Sequence, residues 1–316
     1  MIRCAVRDAT NLLKTYPAIR LGDSSILEFP TIVTTVNNTT IHPRLLKAVS
    51  QLLGSENFKL KQSELVQTLG TPSSPRDPPG RYDNVDQQMH MQFPNHTMVH
   101  PPKWNEPDAV SVLIYLCDCN ECGGSTAVVP REGDDDPAYD WPYCQMPGIG
   151  DIGFINDRET AESTIKLKDP EMYRFRQNLY EREKLVRFRS GTVLFFRPDV
   201  WHRQTPVNQG KARWTQNLVF ARNDCEWVGQ WQRSTTYFMY GHWSDKDAQY
   251  HGRMRLLEES VSKMSPLQRT VLGFPAPGTK YWNKETLEAV GRRYDVFGVD
   301  MTPYGAAIKN RLQSKL

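Results

Sequence analysis

The sequence has no apolar run approaching the ~20 residues that a membrane-crossing helix needs. Its N-terminus, Met1-Ile-Arg-Cys, also lacks the long apolar stretch of a secretory leader. A soluble intracellular protein with reduced thiols is therefore expected. Cysteine is sparse, six in 316 residues. Cys117, Cys119 and Cys122 lie close together, but zinc would require a fourth ligand, for which Cys144 is only a loose candidate. Three partly buried thiols on a strand-to-turn segment are the plainer expectation. No internal repeat and no low-complexity tract appear. Charge of either sign is not in excess: Lys+Arg 39 against Asp+Glu 36 leaves +3. With no basic run, a nucleic-acid partner is not expected.

Core-forming material is plentiful. Hydrophobic residues make up 39% and aromatics 10%, with eight tryptophans, which excludes wholesale disorder. The chain is longer than a typical domain, yet one elaborated barrel could use all of it.

The pattern opens with an extended piece at residues 31–36. A helix follows over residues 43–53, with Pro43 in its first turn and Gly54 just past its end. Residues 58–62 alternate apolar and polar, as in a half-buried strand. A breaker-rich loop covers residues 71–81. Short apolar strands are expected at residues 88–93, 109–116, 125–129, 193–196 and 215–220. Between them, residues 170–184 read as an inserted helix capped by Asp169. The tail is helical, with helices at residues 245–264, at residues 266–272 between Ser265 and Gly273, and from Asn283 to about residue 294.

The chemistry concentrates in Gly191-Thr-Val-Leu-Phe-Phe-Arg-Pro-Asp-Val-Trp-His202-Arg-Gln-Thr-Pro and the following Arg213-Trp-Thr-Gln-Asn-Leu-Val-Phe. These read as a strand, a turn carrying His202, and a second strand opening with Arg213. A histidine at a strand end, with an arginine eleven residues on, is how Fe(II)/2-oxoglutarate oxygenases assemble their site. The imidazole ligates iron, and the guanidinium grips the far carboxylate of 2-oxoglutarate through two parallel hydrogen bonds. A lone histidine in a β-rich domain is more often structural. His202 is set apart by the apolar strand and Pro-Asp turn before it, by Trp201 as an aromatic wall, and by Arg213. Burial of Arg213 among Trp214, Phe195 and Phe196 would demand an anionic partner. Arg197 and Arg203 lack the offset.

Such a site also needs an upstream His-x-Asp, and the best match is His90-Met-Gln92. His90 is the second expected iron ligand. His96 and His100 compete with it, but Pro94, Pro101 and Pro102 argue against a helix there, and His96 suits a loop. Lys59, Lys61, Gln62 and Thr126 are further candidates for co-substrate contact.

Three segments together resemble the phytanoyl-CoA dioxygenase family. They are Asp86-Gln-Gln-Met-His90-Met-Gln92, Cys122-Gly-Gly-Ser-Thr-Ala-Val-Val-Pro-Arg-Glu-Gly, and Gly191 through His202 to Arg213. The resemblance covers roughly residues 55–222. The tail, with Gly273-Phe-Pro-Ala-Pro-Gly and Arg293-Tyr-Asp, is similar to an extension of some members. It implies a mainly β fold with flanking helices: a double-stranded β-helix (jelly-roll, cupin-like) core over residues 1–224, with residues 225–316 as a helical extension packed on it. It further implies Fe(II) and 2-oxoglutarate as cofactors, and hydroxylation of an unactivated C–H bond in a small organic or acyl-CoA substrate. The chain departs from the pattern at Gln92, where a neutral amide stands in place of the ligand carboxylate. A weak Gln ligand, a natural loss of catalysis and a silencing substitution all fit. A silent binding protein that keeps the fold is therefore the rival reading. The terminal Ser314-Lys315-Leu316 matches the tripeptide read by the peroxisomal import receptor, so a peroxisomal location is expected, with the cytoplasm as alternative.

Overall fold

The computed structural model describes residues 2–15, 20–21, 24–70, 84–91, 107–133, 135–139, 155–223 and 259–313. In chain order the elements are α1 (Ile2–Thr15), β1 (Arg20–Leu21), β2 (Ser24–Glu28), α2 (Thr34–Thr40), α3 (Pro43–Leu53), β3 (Phe58–Leu69), β4 (Ala109–Tyr115), α4 (Cys119–Cys122), β5 (Thr126–Val128), α5 (Arg158–Lys168), α6 (Pro170–Arg182), β6 (Lys184–Leu185), β7 (Val193–Phe196), β8 (His202–Gln204), β9 (Ala212–Arg222), α7 (Pro266–Val271), α8 (Lys284–Tyr294) and α9 (Thr302–Gln313). Residues 259–263 are also helical.

The strands form two sheets, one six-stranded in the order β1-β2-β3-β9-β4-β7 and one three-stranded in the order β6-β5-β8. Every pairing is antiparallel. The small sheet gains a fourth member at one point, where His90 and His202 exchange backbone hydrogen bonds of 2.9 and 2.8 Å. After β4 the chain passes to the small sheet for β5 and β6, back for β7, over again for β8 and back for β9, so late strands lie beside early ones: β9 runs between β3 and β4.

Period two divides β9 cleanly. Trp214, Leu218 and Phe220 face outward with Leu65, Val110, Val112 and Ile114, and are covered by Ala5, Ala9, Val36, Leu45 and Val49 of α1–α3. Each fully buried side chain of this size contributes about 1.5–3 kcal/mol. Gln216 is the polar exception on that face. Its amide donates to Thr40 Oγ1 at 2.6 Å and accepts from the Thr39 hydroxyl, so burial leaves it satisfied. Arg213, Thr215 and Asn217 take the other face, toward the small sheet. The outer side of the small sheet holds Met89, Met91, Val129 and Trp201 against Leu179 and Tyr180 of α6 and Ala289 of α8. The C-terminal helices thus share a core with the small sheet and also build their own around Phe274, Trp282, Tyr294 and Tyr304.

Several elements match the sequence reading at their ends. α3 begins at Pro43 and closes on Gly54 in the left-handed region, φ 61°. Asp169 caps α6 by accepting from the Met172 amide at 2.9 Å, and Ser265 and Asn283 each form a capping box. Other expectations fail. Residues 34–36, expected extended, open α2. Residues 88–93 were expected as a strand, but up to residue 91 there are only isolated bridges at Gln87 and His90. Helices α1, α5 and α9 were not foreseen. Among the described residues helix exceeds strand, so the fold is mixed rather than mainly β. The loop at 71–81, most of the helix expected at 245–264, and Ser314-Lys315-Leu316 lie outside the described residues. No helix among the described residues is long and apolar enough to cross a membrane.

Candidate metal and co-substrate site

The bridge between residues 90 and 202 sets two imidazoles side by side, with ring centroids 4.5 Å apart. Each ring is oriented by a backbone carbonyl two residues upstream. His90 Nδ1 lies 3.0 Å from the Gln88 carbonyl, and His202 Nδ1 lies 2.7 Å from that of Val200. A carbonyl only accepts, so the proton sits on Nδ1 and Nε2 carries the lone pair, the form in which histidine binds a metal. Burial holds His90 below its ordinary pKa, with the Gln88 bond opposing and Arg176 adding a smaller downward push. His90 therefore stays neutral. Phe196 of β7 packs on His202 with centroids 4.9 Å apart.

Two residues along β8 from His202, about 6.6 Å at strand rise, Gln204 leaves the same face. Its side-chain oxygen accepts from Arg213 Nη2, while Arg213 Nη1 donates to the Thr205 carbonyl at 3.0 Å. Arg213 is 2% exposed. Its burial pushes its pKa down, opposed by Tyr115, Cys122 and Cys117. Among the described residues no carboxylate forms an ion pair with it. A guanidinium removed from water and bonded to two neutral oxygens is electrostatically incomplete.

Thr126 joins this group. It pairs with Gln204 across the small sheet and accepts from the Tyr115 hydroxyl at 2.7 Å. Tyr115 comes from the large sheet and stacks on Phe188 at 3.9 Å; burial pushes its hydroxyl up to about 12. The turn before β5 fixes this approach. A Cβ at Gly124, φ 64°, would meet the Pro206 carbonyl oxygen at 2.6 Å, so only glycine lets the chain pass the loop that holds Thr205.

His90, His202, Thr126 and Arg213 are thus brought to one cleft between the sheets. Lys61 and Gln62 lie on β3, away from Arg213. Gln62 pairs with Val219, six residues along β9 from Arg213, or roughly 20 Å, and Lys61 sits at a register irregularity beside it. Lys59, opposite Ala221, is farther still. Trp201 is no wall of the site: as the neighbour of His202 on the strand it faces the other way, into the core under α6. Arg197 pairs with Asp199 at 2.7 Å, and Arg203 with Glu183 at 2.7 Å and with Asp86, so both are structural cations. Tyr115 and Gln204 escaped the sequence reading. Gln204 was available from period two after His202; Tyr115 needed the fold. Gln92, His96, His100 and Cys144 lie outside the described residues. Among the described residues, no three His, Cys, Asp or Glu side chains group so as to hold a metal ion.

The model of the phytanoyl-CoA dioxygenase family matches residues 31–213, which spans α2 through Arg213. The chain belongs to the phytanoyl-CoA dioxygenase family. No curated protein matches it. Similar solved structures include the 2-oxoglutarate-dependent carbocyclase SnoK of nogalamycin biosynthesis, 12% identical, covering 73% of this chain and 80% of that one, TM-score 0.47. The epimerase SnoN, in complex with Fe3+, 2-oxoglutarate and nogalamycin RO, is 14% identical over 73% and 79%, TM-score 0.45. HygX from Streptomyces hygroscopicus, with nickel and 2-oxoglutarate bound, is 15% identical over 71% and 78%, TM-score 0.41.

Proposed function

We propose that this family member is an Fe(II)/2-oxoglutarate-dependent oxygenase that hydroxylates a small organic substrate. The observation that carries the reading is Arg213, a buried cation without a carboxylate partner among the described residues, at the end of a cleft that begins with two metal-ready imidazoles. The far carboxylate of 2-oxoglutarate supplies the missing charge, and Gln204 and the Thr205 carbonyl hold the guanidinium aimed at it. His90 and His202 hold the iron, with Gln92 proposed as third ligand. When bound, the metal, O₂ and 2-oxoglutarate supply the oxidising chemistry. The chain itself binds and orients. The two Nδ1–carbonyl bonds fix the imidazoles, Phe196 keeps water from one side of the metal site, and Tyr115 with Thr126 forms the wall beside the co-substrate. The strand order supports a jelly-roll core, in which the segment at residues 87–90 extends the small sheet next to β8 and faces β3-β9-β4-β7.

The test is calorimetry with 2-oxoglutarate. Arg213→Met is expected to weaken binding by about 2–5 kcal/mol, the usual cost of breaking a buried charge pair. Unchanged affinity would move the anchor elsewhere. The rival reading, a silent binding protein, shares this expectation and differs in turnover. Gln92→Asp completes a two-histidine, one-carboxylate triad, so it should tighten Fe(II) binding and raise succinate release over the unmodified chain. If both quantities stay unchanged, residue 92 is not a ligand.

A further inference from the structure

β4 ends at Tyr115, and the chain then folds back through α4. The Cys122 amide bonds to the Asp118 carbonyl at 3.2 Å, and this turn sets Cys122 Sγ 3.8 Å from Cys117 Sγ. Both are free thiols. Cys117 is only partly buried, while Cys122 is 1% exposed. The Trp214 amide donates to Cys117 Sγ at 3.4 Å, and the Arg213 charge lies in the same neighbourhood. Cys119 is apart from the pair, with its sulfur 3.8 Å from Asn120 Oδ1. Among the described residues no third ligand groups with them.

We propose that Cys117 and Cys122 form a peroxide-reactive dithiol, in which Cys117 is the attacking sulfur and Cys122 the resolving one. The Cys117 thiolate attacks one oxygen of a hydroperoxide, the O–O bond breaks, and the other oxygen leaves with a proton as alcohol or water. This gives a sulfenic acid on Cys117. Cys122 then attacks that sulfur, the S–O bond breaks, and hydroxide leaves with the Cys122 proton as water. Two thiols lose two electrons to the hydroperoxide and one disulfide forms. Disulfide formation closes the gap from 3.8 Å to roughly 2.05 Å. The electrostatics agree with the roles. The Cys122 thiol bond, the Trp214 backbone and Arg213 lower Cys117 to about 7, against burial and Asp118; the bond to Cys117 and burial push Cys122 up. The inference does not depend on whether Arg213 binds 2-oxoglutarate.

The test uses the full chain with a chelator present and hydrogen peroxide at equimolar concentration, followed by alkylation and peptide mass mapping. Cys117 and Cys122 should become protected together, two hydrogens lighter, while Cys119 takes the alkyl group. Cys119→Ser should behave the same way. Cys122→Ser should stop at a sulfenic acid on Cys117, trapped with dimedone, and Cys117→Ser should remain reduced. The rate in the unmodified chain should be half-maximal near pH 7, against about 8.5 for an ordinary thiol. A disulfide or dimedone adduct at Cys119, or a midpoint near 8.5, would overturn the proposal; the mapping of the unmodified chain decides this even if a variant misfolds.

Discussion

Arg176 and Arg213 are both among the largest fully buried side chains, yet their surroundings differ in kind. Arg176, on α6 outside the small sheet, meets Glu162 at 2.7 Å and bonds to Gln88 Oε1 and the Met89 carbonyl, each at 2.9 Å. Tyr180 bonds to the same Glu162 at 2.8 Å. The charges of the network cancel, and its one orphaned atom is the Gln88 amide nitrogen rather than a charged group. Arg213, on the inner face, has two neutral acceptors and no acid among the described residues. A third case separates charge from satisfaction. Arg269, in the tail, likewise has no ion pair among the described residues, but Val261, Ser262 and Asp300 offer it backbone carbonyls, two of them at 2.8 Å. The Val261 and Ser262 carbonyls belong to the last turn of the helix at 259–263, where the dipole is negative. A buried cation can thus be closed by an acid or by a helix end. Arg213 has neither, and this difference supports the proposal that it anchors the co-substrate.

The comparison is broken most directly at Arg176. Arg176→Met leaves Glu162 buried without its partner, which should cost about 3–5 kcal/mol in urea unfolding. The same substitution at Arg213 should be neutral or stabilising without ligand, because it removes a desolvated charge. If Arg213→Met costs as much as Arg176→Met, then Arg213 is part of a closed structural network and the contrast is wrong.

Next in size is the response to co-substrate. At a concentration one hundred times Kd, 2-oxoglutarate should stabilise the unmodified chain by about 2.7 kcal/mol. Arg176→Met, if folded, should keep that increment, and Arg213→Met should lose it. Thermal shifts with and without ligand measure both.

A fourth arginine tests the acid-paired class through pH. Arg182 holds both carboxylate oxygens of Asp136, at 2.9 and 2.6 Å, and lowers its pKa from 3.8 to about 2, against a smaller opposing effect of burial. A depressed carboxylate contributes stability that is complete above its unfolded pKa. This contribution is lost as pH falls from about 4 toward 2, and the drop amounts to something on the order of 2 kcal/mol. Asp136→Asn should be less stable at pH 6, and the gap should narrow as the medium is acidified. A gap that stays constant from pH 6 to pH 3 would show that the pair does not set the shift.

What the sequence revealed follows from which signals are local. Strand β7, helix α3 and the caps Asp169, Ser265 and Asn283 were legible because each is written in adjacent residues: a short apolar run, a proline, a glycine, a side chain able to accept from the first turn. His202 and Arg213 were legible through their spacing along two consecutive strands. Tyr115 was not, since its meeting with Thr126 depends on the packing of two sheets. The direction of Trp201 was misjudged because adjacency in sequence was read as adjacency in the site, whereas neighbours on a strand face opposite sides. Helix α5 was missed for a different reason: its residues are mostly polar, and its buried positions include Glu162, whose role appears only beside Arg176.

The smallest expected effect concerns the helix that carries Arg176. Asp169 caps α6 through its bond to the Met172 amide, and it also places a negative charge at the positive end of the helix dipole. Asp169→Ala removes both and should cost about 1 kcal/mol, within the usual range of 0.5–2 for a lost cap. Asp169→Asn keeps the acceptor and removes only the charge, so about 0.3–1 kcal/mol should be lost. This resolves the same question as the arginines on a milder scale: how much of an interaction is charge and how much is a satisfied hydrogen bond. Urea unfolding of the two variants at low and high salt separates the parts, because salt screens the dipole interaction and leaves the hydrogen bond. Equal losses in both variants would assign the cap wholly to charge. A loss for Asp169→Ala that persists in high salt, beside a loss for Asp169→Asn that disappears, is the outcome the geometry predicts.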